Sequence, residues 1–344
     1  MLVRMETMRH MAQSLQAAIG HTPIFPLEKL SGGLPCIIHA KAEMLNPGGS
    51  LKDRLALSLI EAAEREDRLC PGGTVIEATS GNTGIAVSWI CAAKGYRALI
   101  VMSDKNSKEK QDMMKSFGAE LILTPHTAKP DEPISNYKTA ERLAREVPDS
   151  VYLDQYNNPA NIDCHYSTTG PEIWEQTEGK VDCVIAGAGT GGTISGIGRF
   201  LKERNKDIEI VAVDSVGSIF TSYFETGELV VAEHYEVEGI GSDKLVGAMD
   251  FSAVDKFIPI PDQEAFLTAR ELARTNGLFC GGSSGAVISA ARKYLRDRHD
   301  IKYPVVVLAD SGNRYLSKLY NDEWMIKMKY LPGISRSAKQ PMHS

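Results

Sequence analysis

The 344-residue sequence predicts an α/β protein with mostly parallel sheets flanked by helices. Two observations carry that reading. Short apolar runs rich in Val and Ile alternate with helical patterns through most of the chain, the signature of βαβ units whose sheet is covered on both faces. Glycine-rich turns join strand to helix at the points where a parallel arrangement needs tight βα connections.

Taken in order, the stretch NPGGSLKDR (46–54) leads into a helical run, LALSLIEAAERE (55–66). TVIEAT reads as a strand over 75–79 and GNTGIAVSWICAAKG (81–95) as the helix after it. RALIVMS (97–103) is a strand, SKEKQDMMKSFG (107–118) a helix and AELILTP (119–125) a strand. VDCVIAG (181–187), TISGIGRFLKERN (193–205) and EIVAVDS (209–215) repeat the pattern, and PVVVLAD (304–310) closes it. Two segments, 126–139 (polar, with two prolines) and 221–244, show no clear period and are expected to leave the scaffold as loops, where substrate-facing residues tend to lie. The final stretch, GISRSAKQPMHS, is expected to be a frayed tail.

The length suits two domains, or one large α/β domain with a lobe. With 43% hydrophobic and 24% charged residues and a net charge of -6, the chain reads as a soluble globular protein with no pull toward nucleic acid or an anionic membrane. The six cysteines are scattered and form no C-x-x-C pair, so buried free thiols in a reducing compartment are expected, with no metal. Residues 1–20 lack the apolar core of a signal peptide and no later stretch is long and apolar enough to span a membrane, so a cytoplasmic location is expected.

Three glycine turns carry the candidate chemistry. Thr79-Ser80-Gly81-Asn82-Thr83-Gly84 opens a helix with unpaired N–H groups and side-chain donors, a setting for an anion. Gly187-Ala188-Gly189-Thr190-Gly191-Gly192 matches G-x-G-x-x-G, and Asp214 stands at the end of the next strand, as in a dinucleotide site. However, that loop arrives past mid-chain, and the hydroxyls of Thr190 and Thr193 suit a terminal phosphate monoester better than a bridging pyrophosphate. The third turn, GLFCGGSSGAV, places Ser283 and Ser284 at a helix start, where either could be an ordinary cap.

Lys52 follows the stiff Pro47-Gly48-Gly49 turn and is flanked by Leu51, Leu55 and Ala56. An arbitrary lysine belongs on a solvated face, but a partly desolvated amine here would have a lowered pKa and act as nucleophile and base. A Schiff-base lysine, a phosphate cup and a donor-rich carboxylate loop together are what a pyridoxal 5'-phosphate enzyme requires.

The motifs NPGGSLKDR, TSGNTG, GTGGT and GGSSGA, in that order, resemble those of the fold type II (β-family) pyridoxal-phosphate enzymes, built like tryptophan synthase β, along nearly the whole chain. Within that family the flanking stretches YLDQYNNPANIDCHYSTTGPEIWEQ, YEVEGIG, VGSIF and LADSGNRYLSKLYNDEWM are most similar to the catalytic core of the cystathionine β-synthases, with the cysteine synthases next. The resemblance implies a two-lobe molecule: residues 1–45 and 160–331 as a large cofactor-binding lobe, 46–159 as a small mobile lobe and 332–344 as the tail. It implies that Lys52 forms the Schiff base and moves the Cα proton, that Asn82 meets the cofactor's 3-hydroxyl oxygen and that Ser283 faces its pyridine nitrogen. Gly189, Thr190, Gly191, Gly192 and Thr193 would form the phosphate cup. Thr79, Ser80, Gly81, Thr83 and Gln155 would hold the substrate carboxylate, while Tyr156, Gly239 and Gly241 would lie on the thiol side, the glycines as hinges.

The implied reaction is a β-replacement through an aminoacrylate, joining L-serine or an activated serine to L-homocysteine to give L-cystathionine. The alternative is a cysteine synthase-type reaction of O-acetylserine or O-phosphoserine with sulfide or an amine. The family also implies a homodimer. Ser242 stands where animal cystathionine β-synthases have tyrosine, and LADS replaces LPDS, so leaving group and nucleophile are both left open. Neither the haem-binding extension nor the regulatory module of longer relatives is recognisable, so no haem and no such effector site are expected. A catalytically silent paralogue and a nicotinamide enzyme are the remaining alternatives.

Overall fold

Among the described residues two sheets divide the strands between them. The computed structural model describes residues 12–79 and 81–332, so Ser80 and the expected tail from 333 onward lie outside the described residues. In chain order the elements are β1 (Ile24–Pro26), β2 (His39–Ala42), α1 (Lys52–Arg65), β3 (Thr74–Ala78), α2 (Asn82–Lys94), β4 (Arg97–Ser103) and α3 (Lys108–Ser116). Then come β5 (Glu120–Thr124), α4 (Asn136–Glu146), β6 (Ser150–Tyr152), α5 (Ala160–Ser167), α6 (Thr169–Gln176), β7 (Cys183–Gly187) and α7 (Gly192–Arg204). The last are β8 (Glu209–Ser215), α8 (Phe220–Thr226), β9 (Lys256–Ile260), α9 (Asp262–Asn276), α10 (Gly282–Leu295), β10 (Pro304–Leu308) and α11 (Asp322–Lys327).

The smaller sheet has the order β5-β4-β3-β6 and is wholly parallel, with Val75 opposite both Ala98 and Val151. The larger runs β1-β2-β10-β7-β8-β9, parallel except where β1 meets β2. Every residue of β3 and of β10 is buried, as strands covered on both faces must be. In the smaller sheet the chain steps from β3 through β4 to β5, then returns to place β6 on the other side of β3. In the larger it steps from β7 through β8 to β9, then returns to place β10 on the other side of β7. Each reversal splays the loops leaving two neighbouring strands apart and leaves a crevice at the carboxyl ends.

The strands predicted from long apolar runs are all present, with ends displaced by a residue or two. The helix expected from Leu55 begins at Lys52, so the lysine is its first residue. Sequence reasoning gave no strand at β1, β2, β6 or β9. β2 reads HAKA and owes its conformation to pairing with β10, Ala40 opposite Val306. β9 contains Pro259, tolerated because β9 is an edge strand. The segment 126–139 is not all loop: α4 starts at Asn136, capped by Ser135 Oγ, which accepts from the Lys138 amide. Tyr137, Ala140, Leu143 and Ala144 on that helix, with Val147 just after it, pack on Ile76 and Val101, and that stripe lies mostly beyond the polar stretch that hid it. The segment 221–244 holds no regular structure after Thr226. Five cysteines are buried as free thiols, while Cys70 is exposed, against the expectation, in a turn between α1 and β3. No helix among the described residues is long and apolar enough to cross a membrane.

Beneath α1 lies a buried charge cluster. Arg54 donates to Glu43 at 2.8 and 2.9 Å and to Glu172 at 2.6 and 2.7 Å. Lys41 donates to Glu172 at 2.6 Å, and Thr22 Oγ1 to Glu43 at 2.6 Å. Two cations thus face two carboxylates with nearly every donor used, which is what makes such burial tolerable. The cluster ties β2, α1 and α6 together two residues from Lys52.

Candidate active site

The turn before Lys52 is fixed from outside. The Leu51 amide donates to Ala309 O at 2.9 Å and the Ser311 amide to Gly49 O at 3.1 Å. The Arg314 guanidinium donates to Gly49 O at 2.5 Å and also to Gly48 O. Inside the turn, Asp53 accepts from the Gly48 amide at 2.5 Å and from Trp89 Nε1 at 3.1 Å. Lys52 is half-buried, and burial lowers its ammonium from 10.5 to about 8, an effect that Asp310 and Glu77 oppose only in part. Its position at a helix N-terminus disfavours the cation in the same direction.

Four helices open on one inner cavity of about 40 Å³, through Lys52 of α1, Asn82 of α2, Thr193 of α7 and Ser283 of α10. Gly189, Thr190, Gly191 and Gly239 complete the part of its wall foreseen from sequence. Converging helix N-termini make such a place favourable for an anion. An outer chamber of about 310 Å³ shares Lys52, Asn82, Gly189, Thr190 and Gly239 with it and adds Thr79, Thr83, Gln155, Tyr156 and Gly241. Gly81 and Gly192 line neither cavity; they stand behind the wall. Gly81 has φ 142°, and a Cβ there would lie 2.3 Å from Lys110 Cδ; at Gly192 it would lie 1.9 Å from Asn161 Oδ1. Ser80 lies outside the described residues.

Hydrogen bonds sort the candidates. Thr83 Oγ1 donates to Gln155 Oε1 at 2.7 Å and Gln155 Nε2 to Ala78 O at 3.0 Å, so the loops after β3 and β6 hold each other. Thr79 Oγ1 accepts from the Gly81 amide at 3.0 Å. Asn82 Nδ2 donates to Asp310 Oδ2 at 2.7 Å, leaving Asn82 Oδ1 buried without a partner. Ser284 is structural, its Oγ accepting from the Ala309 amide, whereas Ser283 lines the inner cavity. Tyr156 packs edge-on against Tyr137. Gly239 and Gly241 have φ of 92° and 82°, and the Gly241 amide donates to Ala188 O at 2.8 Å. Asp214, the acid that suggested a dinucleotide, is fully buried and accepts from the Thr221 amide and hydroxyl and the Ser215 amide. Buried behind its own loop, that carboxylate is not presented to a ribose.

Sequence reasoning missed the charged part of the outer wall. Lys110 of α3 and Lys318 both donate to Glu238, the second at 2.7 Å, and Lys110 also stands 4.7 Å from the Tyr315 ring centre. At this point of a wall that also carries Glu233, Glu236 and Asp243, one carboxylate thus stands between two ammonium groups. These residues are so far apart in the chain that no local pattern brings them together.

A family profile described as "Pyridoxal-phosphate dependent enzyme" matches residues 15–312. The chain belongs to that family. Like its relatives it is therefore a pyridoxal-phosphate-dependent enzyme. It is 45% identical to a cystathionine beta-synthase of Apis mellifera over 93% of this chain and 64% of that one. Identity to the cystathionine beta-synthase of Saccharomyces cerevisiae is 43% over 90% and 63%. A cysteine synthase of Staphylococcus aureus is 40% identical over 87% of this chain and 94% of its own length. The chain thus spans less than two thirds of the length of the cystathionine beta-synthases it matches.

The residues present fit pyridoxal phosphate. The inner cavity offers a half-buried amine of lowered pKa and a glycine loop so close that a Cβ at Gly189 would lie 2.4 Å from Gly239 O. It also holds two threonine hydroxyls and a buried amide oxygen without a protein partner. Among the described residues no group of three or more His, Cys, Asp or Glu could hold a metal ion.

Proposed function

We propose that this protein catalyses β-replacement on an amino acid, condensing L-serine or an activated serine with L-homocysteine to give L-cystathionine. The observation that carries the reading is the outer chamber, about 310 Å³, beside Lys52. A nucleophile with its own carbon skeleton uses such a space, whereas sulfide does not need it. The names of the cystathionine beta-synthases it resembles support the same choice. One observation favours a second reading, a cysteine synthase-type reaction of O-acetylserine or O-phosphoserine with sulfide or an amine: the chain covers 94% of the Staphylococcus aureus cysteine synthase.

Pyridoxal phosphate, when bound, supplies an aldehyde for the amine and an electron-withdrawing ring that acidifies the Cα–H bond. Lys52 would hold it covalently, Asn82 and Ser283 would meet its ring, and Gly189, Thr190, Gly191, Gly192 and Thr193 would receive its phosphate. Lys52 Nζ, with a pKa near 8, can take the Cα proton at neutral pH and give it back. Thr79, Ser80, Gly81, Thr83 and Gln155 would bind the substrate carboxylate and so fix which Cα bond faces that amine. Ser283 brings a hydroxyl and no carboxylate to the ring, which favours expulsion of a β-substituent over transamination. Tyr156, Gly239 and Gly241 would border the second substrate, with the glycines letting the 235–244 loop close and exclude water.

In this reading residues 46–159 form the smaller, mobile lobe and 1–45 with 160–331 the larger. The working form is a cytoplasmic homodimer. Steady-state rates with serine, O-acetylserine and O-phosphoserine, each against homocysteine and sulfide, test the proposal. Serine with homocysteine is expected to turn over best; turnover confined to sulfide would replace the first reading by the second.

A further inference from the structure

A second layer of side chains lies under the glycine loop, and both of its members come from α5. Asn161 Nδ2 donates to Gln155 O at 2.7 Å and to Thr190 Oγ1 at 3.0 Å. Because a carbonyl can only accept, that first bond fixes which end of the Asn161 amide carries the hydrogens. Thr190 Oγ1 must therefore accept, and its own proton has no acceptor among the described residues. One turn later, His165 Nε2 lies 3.1 Å from Thr193 Oγ1 and Nδ1 lies 2.8 Å from Thr169 Oγ1.

His165 is fully buried. Burial, with Lys52 and Arg54 adding to it, holds the imidazole well below its usual range, so the ring is neutral and carries one N–H. Thr169 decides where that hydrogen sits. Its hydroxyl is buried and has no partner among the described residues except His165 Nδ1. For the Thr169 proton to be bonded, Nδ1 must accept, which places the ring hydrogen on Nε2 and makes Thr193 Oγ1 an acceptor. The opposite tautomer would strand the Thr169 proton and turn the Thr193 proton inward, away from the cavity.

We propose that Asn161 and His165 are positioning residues that occupy the acceptor sites of Thr190 and Thr193, so that both hydroxyl protons point into the glycine cup as donors to the cofactor's phosphate. The loop from Gly189 to Thr193 then presents donors to a dianion with no lysine or arginine of its own. The inference rests on the cofactor reading above.

Two measurements test it. In the holoenzyme with 15N-labelled histidine, two-bond 1H–15N correlations are expected to show His165 protonated at Nε2; protonation at Nδ1 overturns the proposal, and this needs no variant to fold. In cofactor-free protein, His165→Leu is expected to weaken pyridoxal phosphate and inorganic phosphate about 10- to 100-fold, the worth of one hydrogen bond to a charged group. Pyridoxal, which lacks the phosphate, is expected to bind as before, and His165→Gln, which can still donate to Thr193, to recover most of the loss. Equal weakening of pyridoxal and pyridoxal phosphate, or no recovery by Gln, refutes the positioning role. Failure of the wild-type chain to bind pyridoxal phosphate would instead refute the reading on which it rests.

Discussion

Glu172→Gln probes the charge cluster beneath the lysine-bearing turn. Glu172 Oε1 accepts from Arg54 at 2.6 Å and from the His21 amide at 2.9 Å, and Oε2 accepts from Arg54 at 2.7 Å and Lys41 at 2.6 Å. Burial pushes this carboxyl up, but Arg54 and Lys41 outweigh it and hold the pKa at about 2 against an ordinary 4.5. At about 1.4 kcal/mol per unit, that difference corresponds to ~3 kcal/mol of folding stability at neutral pH. Lys41 moves the other way, its ammonium disfavoured because burial outweighs the pull of Glu172. The pair's own net worth is therefore smaller, and much of the loss on substitution comes from the cation left without a counter-charge. We expect Glu172→Gln to cost about 3 kcal/mol in urea unfolding of the cofactor-free chain, the form in which bound cofactor adds nothing by mass action. The contribution is complete above pH 4.5 and lost as pH falls through about 2, so the gap between wild type and variant should close over that interval. A cost below about 1 kcal/mol, or a gap that stays constant on acidification, would refute the account of the cluster.

Gly81→Ala should weaken serine binding to the holoenzyme by about 10-fold or more in a spectral titration, because the new Cβ meets Lys110 and the backbone sits where side chains are strained. Unchanged binding would mean that the 79–83 loop adapts freely. The rate at which cofactor-free protein captures pyridoxal phosphate should rise through about pH 8 as Lys52 loses its proton. An inflection near 10.5, the value of an ordinary lysine, would contradict the desolvated amine.

What was legible in the sequence was what local physics dictates. β3 and β10 are buried on both faces and are accordingly apolar along most of their length, Thr74 and Glu77 of β3 being the exceptions. A tight turn needs glycine where φ is positive, and Gly81 and Gly191 announce their loops for that reason. What stayed hidden depends on distant partners. Arg54 sits two residues from Lys52, yet its ligands are 11 and 118 positions away. Asn161 and His165 share a helix face, but nothing local says that the threonines they serve lie 29 and 28 positions on. Asp214 left a dinucleotide reading open because an acid at a strand end looks the same whether it binds a ribose or caps its own loop; the Thr221 bonds distinguish the two.

The placing of β2 has a consequence for the order in which a new chain becomes competent. The strands of the smaller sheet all lie between residues 74 and 152, so that sheet can form while synthesis is still under way. β2, by contrast, has only β1 and β10 as neighbours, and the guanidinium that grips the turn before Lys52 is translated 265 residues after Gly49. A chain released from the ribosome before Pro304 would carry the lysine on a helix whose turn has the bonds of Asp53 but none of those from Ala309, Ser311 and Arg314. The setting of the reactive amine is thus finished only after Arg314 has been made.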